Sequence, residues 1–215
     1  MQIVSGIYSL DCARHSNVFF IEEEGTLIDT GIPGHANEIL YELKSLGFAP
    51  TDVKYILLTH HDVDHTGNVK SLQEATGATV FLGKEDIPYL MNEKSRPGIK
   101  RFIQKILRAW PPKSCEILYD DEKIGVISTH YAPGHTPGHH IFQYKGSLFT
   151  GDLFKVKNGE IKGMGSRMND DTGKQRESIT MLRDLSFEWA FPSHGTPIKN
   201  DRVLQQFIAA EGSRQ

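Results

Sequence analysis

Cysteine is scarce in this chain, whose 215 residues contain only Cys12 and Cys115. Two cysteines so far apart do not suggest the disulfide framework that stabilises small secreted domains. We therefore predict two unpaired thiols in a reducing compartment. The first residues also lack a basic stretch followed by an apolar core, so no secretory signal is expected and the predicted location is cytoplasmic.

Long apolar runs are absent as well, and none approaches the roughly 20 residues that a transmembrane helix needs. We therefore expect no membrane partner. The net charge is −3 and no DNA- or RNA-binding module is visible, so no nucleic-acid partner is expected either. The sequence shows no Walker loop, dinucleotide fingerprint or Ser/His/Asp triad. Its length suits a single domain over residues 1–215.

Apolar periodicity predicts an α/β fold in which strands and helices alternate. For example, Ile39, Leu43 and Leu46 recur at helical spacing before Gly47, which can end a helix. Strands are predicted near residues 2–9, 17–30, 53–58, 79–82, 115–119, 124–131, 139–144, 147–150 and 187–191, and helices near 36–46, 68–76, 97–110, 174–185 and 201–211. Residues 154–173 are rich in Gly, Asn and Asp and are predicted to form a mobile loop.

The segment 84–113 differs in character from the rest of the chain. Apolar residues recur at helical spacing between Pro97-Gly98 and Pro111-Pro112, and this stripe must be buried somewhere (Ile99, Phe102, Ile103, Ile106, Leu107, Trp110). The same region is basic, with a single acid, Glu93, among residues 93–113 (Lys94, Arg96, Lys100, Arg101, Lys105, Arg108, Lys113). We expect a lid or a homodimer contact, whose basic face is either solvated or attracts an anionic substrate.

The strongest signal for function is the stretch Thr59–Gly67, which follows the apolar run Tyr55–Leu58. It concentrates four side chains that can bind metal in six residues (His60, Asp62, Asp64, His65). A loop at the end of a buried strand can hold ligands rigidly, and imidazole with carboxylate suits zinc, iron or manganese. His61 lies in the same stretch but is expected to face the opposite way from His60.

Four further motifs also follow or end apolar segments, and each is short. They are Thr26–Gly31 with Asp29, Pro133–His139 with His135 and His139, Phe149–Asp152, and Pro192–Gly195 with His194. Together with the His/Asp stretch, and in this order, they resemble the metallo-β-lactamase superfamily of hydrolases over residues 3–210. The resemblance implies a single-domain α/β fold, the four-layer αββα metallo-β-lactamase sandwich, with metals at one edge.

The resemblance also implies which side chains bind each of two metal ions. His60, Asp62 and His135 would bind one divalent cation, Asp64, His65 and His194 a second, and Asp152 would bridge the two. Asp29 would support these ligands from behind, and His139 would have a structural or supporting role rather than bind metal. Zinc is the expected metal, with iron or manganese as alternatives.

Asp62 departs from the commonest family pattern, His-x-His-x-Asp-His, where a second histidine stands at this position. A carboxylate there lowers the residual positive charge of the site and tilts its preference from zinc toward iron or manganese. The alternative is that Asp62 binds weakly and the site retains one metal.

The function implied is dinuclear hydrolysis of a small ester, thioester or lactone, with glyoxalase-II-like thioesterases and lactonases as the nearest analogies. The metals would activate water, and Asp64 would hydrogen-bond the nucleophile or carry its proton. The alternative is an iron-dependent redox enzyme, either a di-iron oxygen or nitric-oxide reductase or a sulfur dioxygenase. A binding module with a structural metal is a third hypothesis, and seven potential ligands argue against it because structural sites are usually closed by four.

Overall fold

The structure is a computed structural model that describes residues 1–12, 15–95, 99–107 and 109–213. It divides into two compact units, Met1–Ile117 and Leu118–Gln215. The single domain over residues 1–215 stays a prediction. In the described residues no helix combines the length and apolarity needed to cross a membrane.

The first unit is built on a seven-stranded sheet whose spatial order follows the chain. Its core packs sheet residues such as Phe20, Leu27 and Ile56 against Ile39 and Leu72 of the helices. The strands are β1 (Gln2–Val4), β2 (Ile7–Leu10), β3 (Val18–Ile21), β4 (Thr26–Ile28), β5 (Tyr55–Leu57), β6 (Thr79–Gly83) and β7 (Glu116–Leu118), and the helices are α1 (Ala36–Ser45), α2 (Val63–Thr66), α3 (Val69–Thr76), α4 (Ile87–Leu90) and α5 (Ile99–Ile106).

The central strands of this sheet bring two chain segments to one edge. The antiparallel hairpin of β3 and β4 is followed by the parallel pairs β4–β5 and β5–β6. Parallel strands end at the same edge of a sheet, so Asp29 after β4 and the His/Asp stretch after β5 become neighbours. The Asp29 amide confirms this register because it donates to the Leu57 carbonyl at 3.0 Å.

The second unit contains a six-stranded sheet of order β15-β14-β11-β10-β9-β8 and a two-stranded sheet, β12-β13. Ile141, Leu148 and Ala190 pack against Ile179 and Leu204 of its helices. The elements are β8 (Lys123–Ile124), β9 (Ile127–Tyr131), β10 (His140–Tyr144), β11 (Ser147–Gly151), β12 (Phe154–Lys157), β13 (Glu160–Gly163), β14 (Trp189–Pro192) and β15 (Ile198–Lys199), with helices α6 (Thr172–Met181) and α7 (Arg202–Gly212).

Most predicted elements are present within a few residues, but the prediction for residues 154–173 is wrong. Residues 154–173 are not a structureless loop, because β12 and β13 pair as a hairpin from Phe154↔Gly163 to Lys157↔Glu160. The turn is Asn158-Gly159, with φ of 54° and 76°. This dipeptide favours the left-handed turn that joins hairpin strands, and buried Phe154 and Val156 hold the first strand.

The structure also departs from the prediction for the helix of 97–110 at one residue of its basic face, while the lid or homodimer contact stays a prediction. Phe102 and Ile106 are each 66% exposed and Trp110 is 55% exposed, whereas Lys100, expected on the exposed basic face, is buried. Its ammonium reaches a carboxylate inside the first unit, which the spacing of apolar residues cannot reveal. The predicted start at Pro97-Gly98, Arg96, Arg108, and the side chains of Ile99, Ile103 and Lys105 lie outside the described residues.

Both cysteines are free, as predicted. Burial raises the pKa of the half-buried Cys12 to about 12, with the nearby Glu42 carboxylate as a further cause. Burial likewise raises the pKa of Cys115 to about 12. Neither thiol therefore carries appreciable thiolate near neutral pH.

The turn between β3 and β4 depends on Gly25, and we predict that Gly25→Ala is strongly destabilising. Gly25 has a φ of +58°, and an added Cβ would lie 2.2 Å from the Asp52 carbonyl oxygen. Gly6→Ala is the matched control, because Gly6 has a φ of +75° with nothing within 4 Å of its added Cβ. Urea unfolding should show Gly25→Ala losing about 2 kcal/mol more than Gly6→Ala. Equal losses would contradict a steric role for Gly25.

Candidate metal centre

The first unit gathers four of the predicted ligands in one short segment. His60 and Asp62 follow β5, Asp62 is the N-cap of α2, and Asp64 and His65 lie in α2 itself. His60 Nε2 lies 3.6 Å from Asp62 Oδ2, and His65 Nε2 lies 3.7 Å from Asp64 Oδ2. The two imidazole rings are buried, with centroids 3.9 Å apart. Each nitrogen therefore faces the carboxylate with which it was predicted to share a metal.

Hydrogen bonds to the other ring nitrogen fix these imidazoles. His65 Nδ1 lies 2.8 Å from Asp29 Oδ2, and His60 Nδ1 lies 3.0 Å from Thr59 Oγ1. Contacts of this kind orient a metal-binding histidine and select the tautomer whose Nε2 can accept a cation. Thr59 in turn donates its amide to Asp29 Oδ1 at 2.8 Å and its hydroxyl to Oδ2 at 2.8 Å.

Asp29 therefore supports both histidines, one directly and one through Thr59. It is buried and has a φ of +61°, a left-handed conformation that is costly for residues other than glycine. The next residue, Thr30, also reaches this loop, because its amide and hydroxyl both donate to the His65 carbonyl at 2.7 and 2.8 Å. The predicted supporting position of Asp29 agrees with these contacts.

The second unit gathers the other three predicted ligands around one carboxylate. Asp152 follows β11 and His194 follows β14, a parallel pair in register at Phe149↔Phe191. His194 Nε2 lies 3.3 Å from Asp152 Oδ1, and His135 Nε2 lies 3.3 Å from Asp152 Oδ2. One carboxylate with a histidine at each oxygen is the arrangement expected of a bridging ligand.

Two supporting residues of this unit were not predicted from the sequence. Asn169 Oδ1 lies 3.1 Å from His135 Nδ1, and Gln175 Nε2 donates to the carbonyls of Asp152 and Leu153 at 2.9 and 3.0 Å. Both residues come from the segment between β13 and the middle of α6, and no motif marks them. His139 was predicted to have a supporting role, and its Nε2 accepts the Asp152 amide at 3.1 Å.

His61, which lies between the predicted ligands, contacts a different carboxylate. Its Nδ1 lies 2.9 Å from a carboxylate oxygen of the buried Asp86, and its ring stacks on Tyr89 with centroids 4.4 Å apart. Its Nε2 lies 4.0 Å from Asp62 Oδ1, so the expectation that His61 faces away from the metals stays a prediction. Asp86 is a further residue that no sequence motif singles out.

Lys100 occupies a place that its sequence surroundings do not predict. Its Nζ lies 2.8 Å from Asp62 Oδ2, and both side chains are largely buried. From the sequence, Asp62 was expected to be a metal ligand whose carboxylate lowers the residual positive charge of the site. In the structure the ammonium of Lys100 also offsets the charge of that carboxylate.

The residues present fit a metal ion on geometric grounds. Two donors each about 2.1 Å from one tetrahedral ion lie about 3.4 Å apart. The histidine–carboxylate separations in the two units span 3.3 to 3.7 Å. Nitrogen donors held at their far side, next to carboxylate oxygens, are the donor set of zinc, iron and manganese sites. The assignment of each side chain as a ligand stays a prediction.

A cavity of about 390 Å³ lies beside the His/Asp segment in the first unit. Its lining includes His61 and Tyr89 together with Glu93, Lys94 and Arg101. The cavity is therefore bordered both by a neighbour of the predicted ligands and by the basic region 93–113.

Comparison with known proteins identifies the family. Residues 13–194 match the model of the metallo-beta-lactamase superfamily, so the chain belongs to that superfamily. The structure of a metallo-beta-lactamase family protein from Thermus thermophilus aligns with 99% of this chain and 81% of its own, with a TM-score of 0.76 at 23% identity. The predicted fold class, the metallo-β-lactamase fold, is confirmed.

Two relatives carry names that bear on activity. The chain is 27% identical to the "Probable metallo-hydrolase YflN" of Bacillus subtilis over 92% of this chain and 86% of that protein. It is 30% identical to the "N-acyl homoserine lactonase AttM" of Agrobacterium fabrum over 47% of this chain and 39% of that protein. The chain spans about half the length of several other curated relatives. At the level of the superfamily, these relatives support a hydrolase.

We predict that Asp29→Asn destabilises the first unit. An amide can replace only one of the two carboxylate oxygens as acceptor, so either Thr59 or His65 loses a buried partner. The free energy of unfolding should fall by about 2 kcal/mol or more in urea titrations of metal-free protein.

Asp121→Asn is the matched control for this substitution. Asp121 also has a left-handed φ, of +53°, but its side chain is 85% exposed. Its effect should stay within about 0.5 kcal/mol. If the two variants were equally stable, the hydrogen bonds of Asp29 would have no energetic importance.

Proposed function

We propose that this chain is a metal-dependent hydrolase that cleaves a small ester, thioester or lactone with water. The observation that carries the proposal is the orientation of the histidines: the Nδ1 atoms of His60, His65 and His135 are each held by a hydrogen-bonding partner, while their Nε2 atoms face carboxylates. A partner that holds the far ring nitrogen is typical of histidines that bind metal. Superfamily membership supports the same conclusion.

In this proposal the ligand sets of the two units act together on two divalent cations. His60, Asp62 and His135 would hold one cation, Asp64, His65 and His194 would hold the other, and Asp152 would serve both. This combination comes from the family resemblance and extends the histidine–carboxylate pairs seen within each unit. Zinc is the proposed metal.

The bound cations would supply Lewis-acid activation of a water molecule and of the scissile carbonyl. The chain's own residues orient and balance this chemistry. Asp29 and Thr59 fix the tautomers of His65 and His60, and Gln175 restrains the backbone at Asp152. Asp64, whose side chain is 30% exposed, is the group placed to accept or donate a proton as substrate enters.

The substrate proposed is a small acyl compound with an anionic group. The similarity to a homoserine lactonase supports the lactone arm of the proposal, although it covers less than half of the chain. The cavity lined by Lys94 and Arg101 offers positive charge beside the His/Asp segment. A metal-dependent redox enzyme on the same fold is the second candidate, favoured by the carboxylate at Asp62, since oxygen ligands suit iron.

The test is metal content by plasma mass spectrometry on wild type, His60→Ala from the first unit and His194→Ala from the second. We expect about two zinc ions per chain in wild type and a clear loss in both variants. His130→Ala is the control, because His130 lies near Asp121 and belongs to neither ligand set. It should retain wild-type metal content.

Activity is measured on the same samples with panels of thioesters, lactones and phosphoesters. Chelation should abolish hydrolysis and added Zn²⁺ should restore it. Less than one metal of any kind per chain would overturn the dinuclear proposal. Iron as the main metal, with oxygen uptake and no hydrolysis, would assign the site to redox chemistry instead.

A further inference from the structure

We infer that Lys100 competes with metal for Asp62 and thereby weakens the metal position formed by His60 and Asp62. This inference rests on the proposed function, because it needs a cation held by these two side chains. It adds a residue from outside the ligand motifs that sets how strongly one of the two cations binds.

The contact falls on the oxygen that a metal would need. Asp62 Oδ2 lies 3.6 Å from His60 Nε2 and 2.8 Å from Lys100 Nζ. The other oxygen, Oδ1, lies 4.0 Å from His61 Nε2. The ammonium and a cation held between His60 and Asp62 would therefore share one carboxylate oxygen.

Burial makes this competition strong. The Lys100 side chain is 10% exposed and that of Asp62 is 15% exposed, so their charges are poorly screened by water. A buried ammonium needs an anionic partner, and a divalent cation on the same oxygen would both repel Lys100 and withdraw charge from its partner. Metal can be accommodated only if Lys100 gives up the Oδ2 bond or if the metal binds less tightly.

The position of Lys100 on α5 indicates what would move. Among the α5 residues whose side chains the structure describes, Lys100 is buried, whereas Arg101, Phe102 and Ile106 are exposed. The pair with Asp62 thus anchors a helix whose described apolar side chains, Phe102 and Ile106, are exposed. Displacing the ammonium would release this anchor, so metal occupancy at Asp62 is coupled to the attachment of α5.

The experiment measures metal affinity rather than activity. Metal-free wild type, Lys100→Met and Arg101→Met each compete with a chromogenic chelator for Zn²⁺ and, in a separate titration, for Mn²⁺. The titrations give the metal affinity of each protein. We expect the weaker of the two sites to bind tenfold or more tightly in Lys100→Met. Arg101→Met removes the same charge from the neighbouring, exposed residue and should match wild type.

The outcomes separate this inference from the proposed function. Tight binding by all three proteins with equal affinities, or weaker binding by Lys100→Met, would overturn the competition while leaving the metal site in place. Failure of all three to bind either metal would overturn the proposed function itself.

A measurement on wild type keeps the inference testable if Lys100→Met does not fold. Acetic anhydride labels accessible amines, and mass spectrometry reports labelling at Lys100 relative to the exposed Lys94. Saturating Zn²⁺ should raise the relative labelling of Lys100 several-fold as its bond to Asp62 is displaced. Unchanged protection of Lys100 in the metal-loaded protein would contradict the inference.

Discussion

The carboxylate of Asp29 is the contact on which the candidate site depends. It sits where β4 ends, and the parallel neighbour β5 delivers Thr59 and His60 to the same sheet edge. One buried side chain accepts the Thr59 amide and hydroxyl and orients His65. The left-handed backbone at Asp29 is tolerated because three hydrogen bonds and the surrounding sheet over-determine it. The strained backbone of Asp29 thus places its carboxylate where its hydrogen bonds fix the imidazole rings of His65 and, through Thr59, of His60.

The same physical rule operates in the second unit. There β11 and β14 are parallel, and Asp152 and His194 follow their ends, so the sheet register sets the distance between them. His135 instead comes from the connection between β9 and β10 and needs its own support, which Asn169 supplies. The sheet register therefore sets the spacing of Asp152 and His194, whereas the orientation of the loop residue His135 depends on Asn169.

The sequence predicted what local patterns encode and missed what only long-range contacts decide. Local sequence predicts the apolar strands, the helices and the ligand-bearing motifs, because each motif occupies a few consecutive residues. Asn169, Gln175 and Asp86 were not, because a polar residue acquires a supporting role only when the chain brings its partner to it. Asn158-Gly159 is a local hairpin signal within a polar segment, whereas no local pattern indicates that Lys100 is buried.

The pairing of Asp62 with Lys100 also constrains how this site can change over evolutionary time. The two residues lie 38 positions apart in the chain, yet each determines whether the other is acceptable. Exchanging Asp62 for the histidine common in the superfamily would remove the carboxylate that the buried ammonium contacts. Losing Lys100 first would remove a positive charge 2.8 Å from that carboxylate. Evolution from one version of the motif to the other would therefore require both residues to be replaced together. The residues at positions 62 and 100 should thus vary together among related chains.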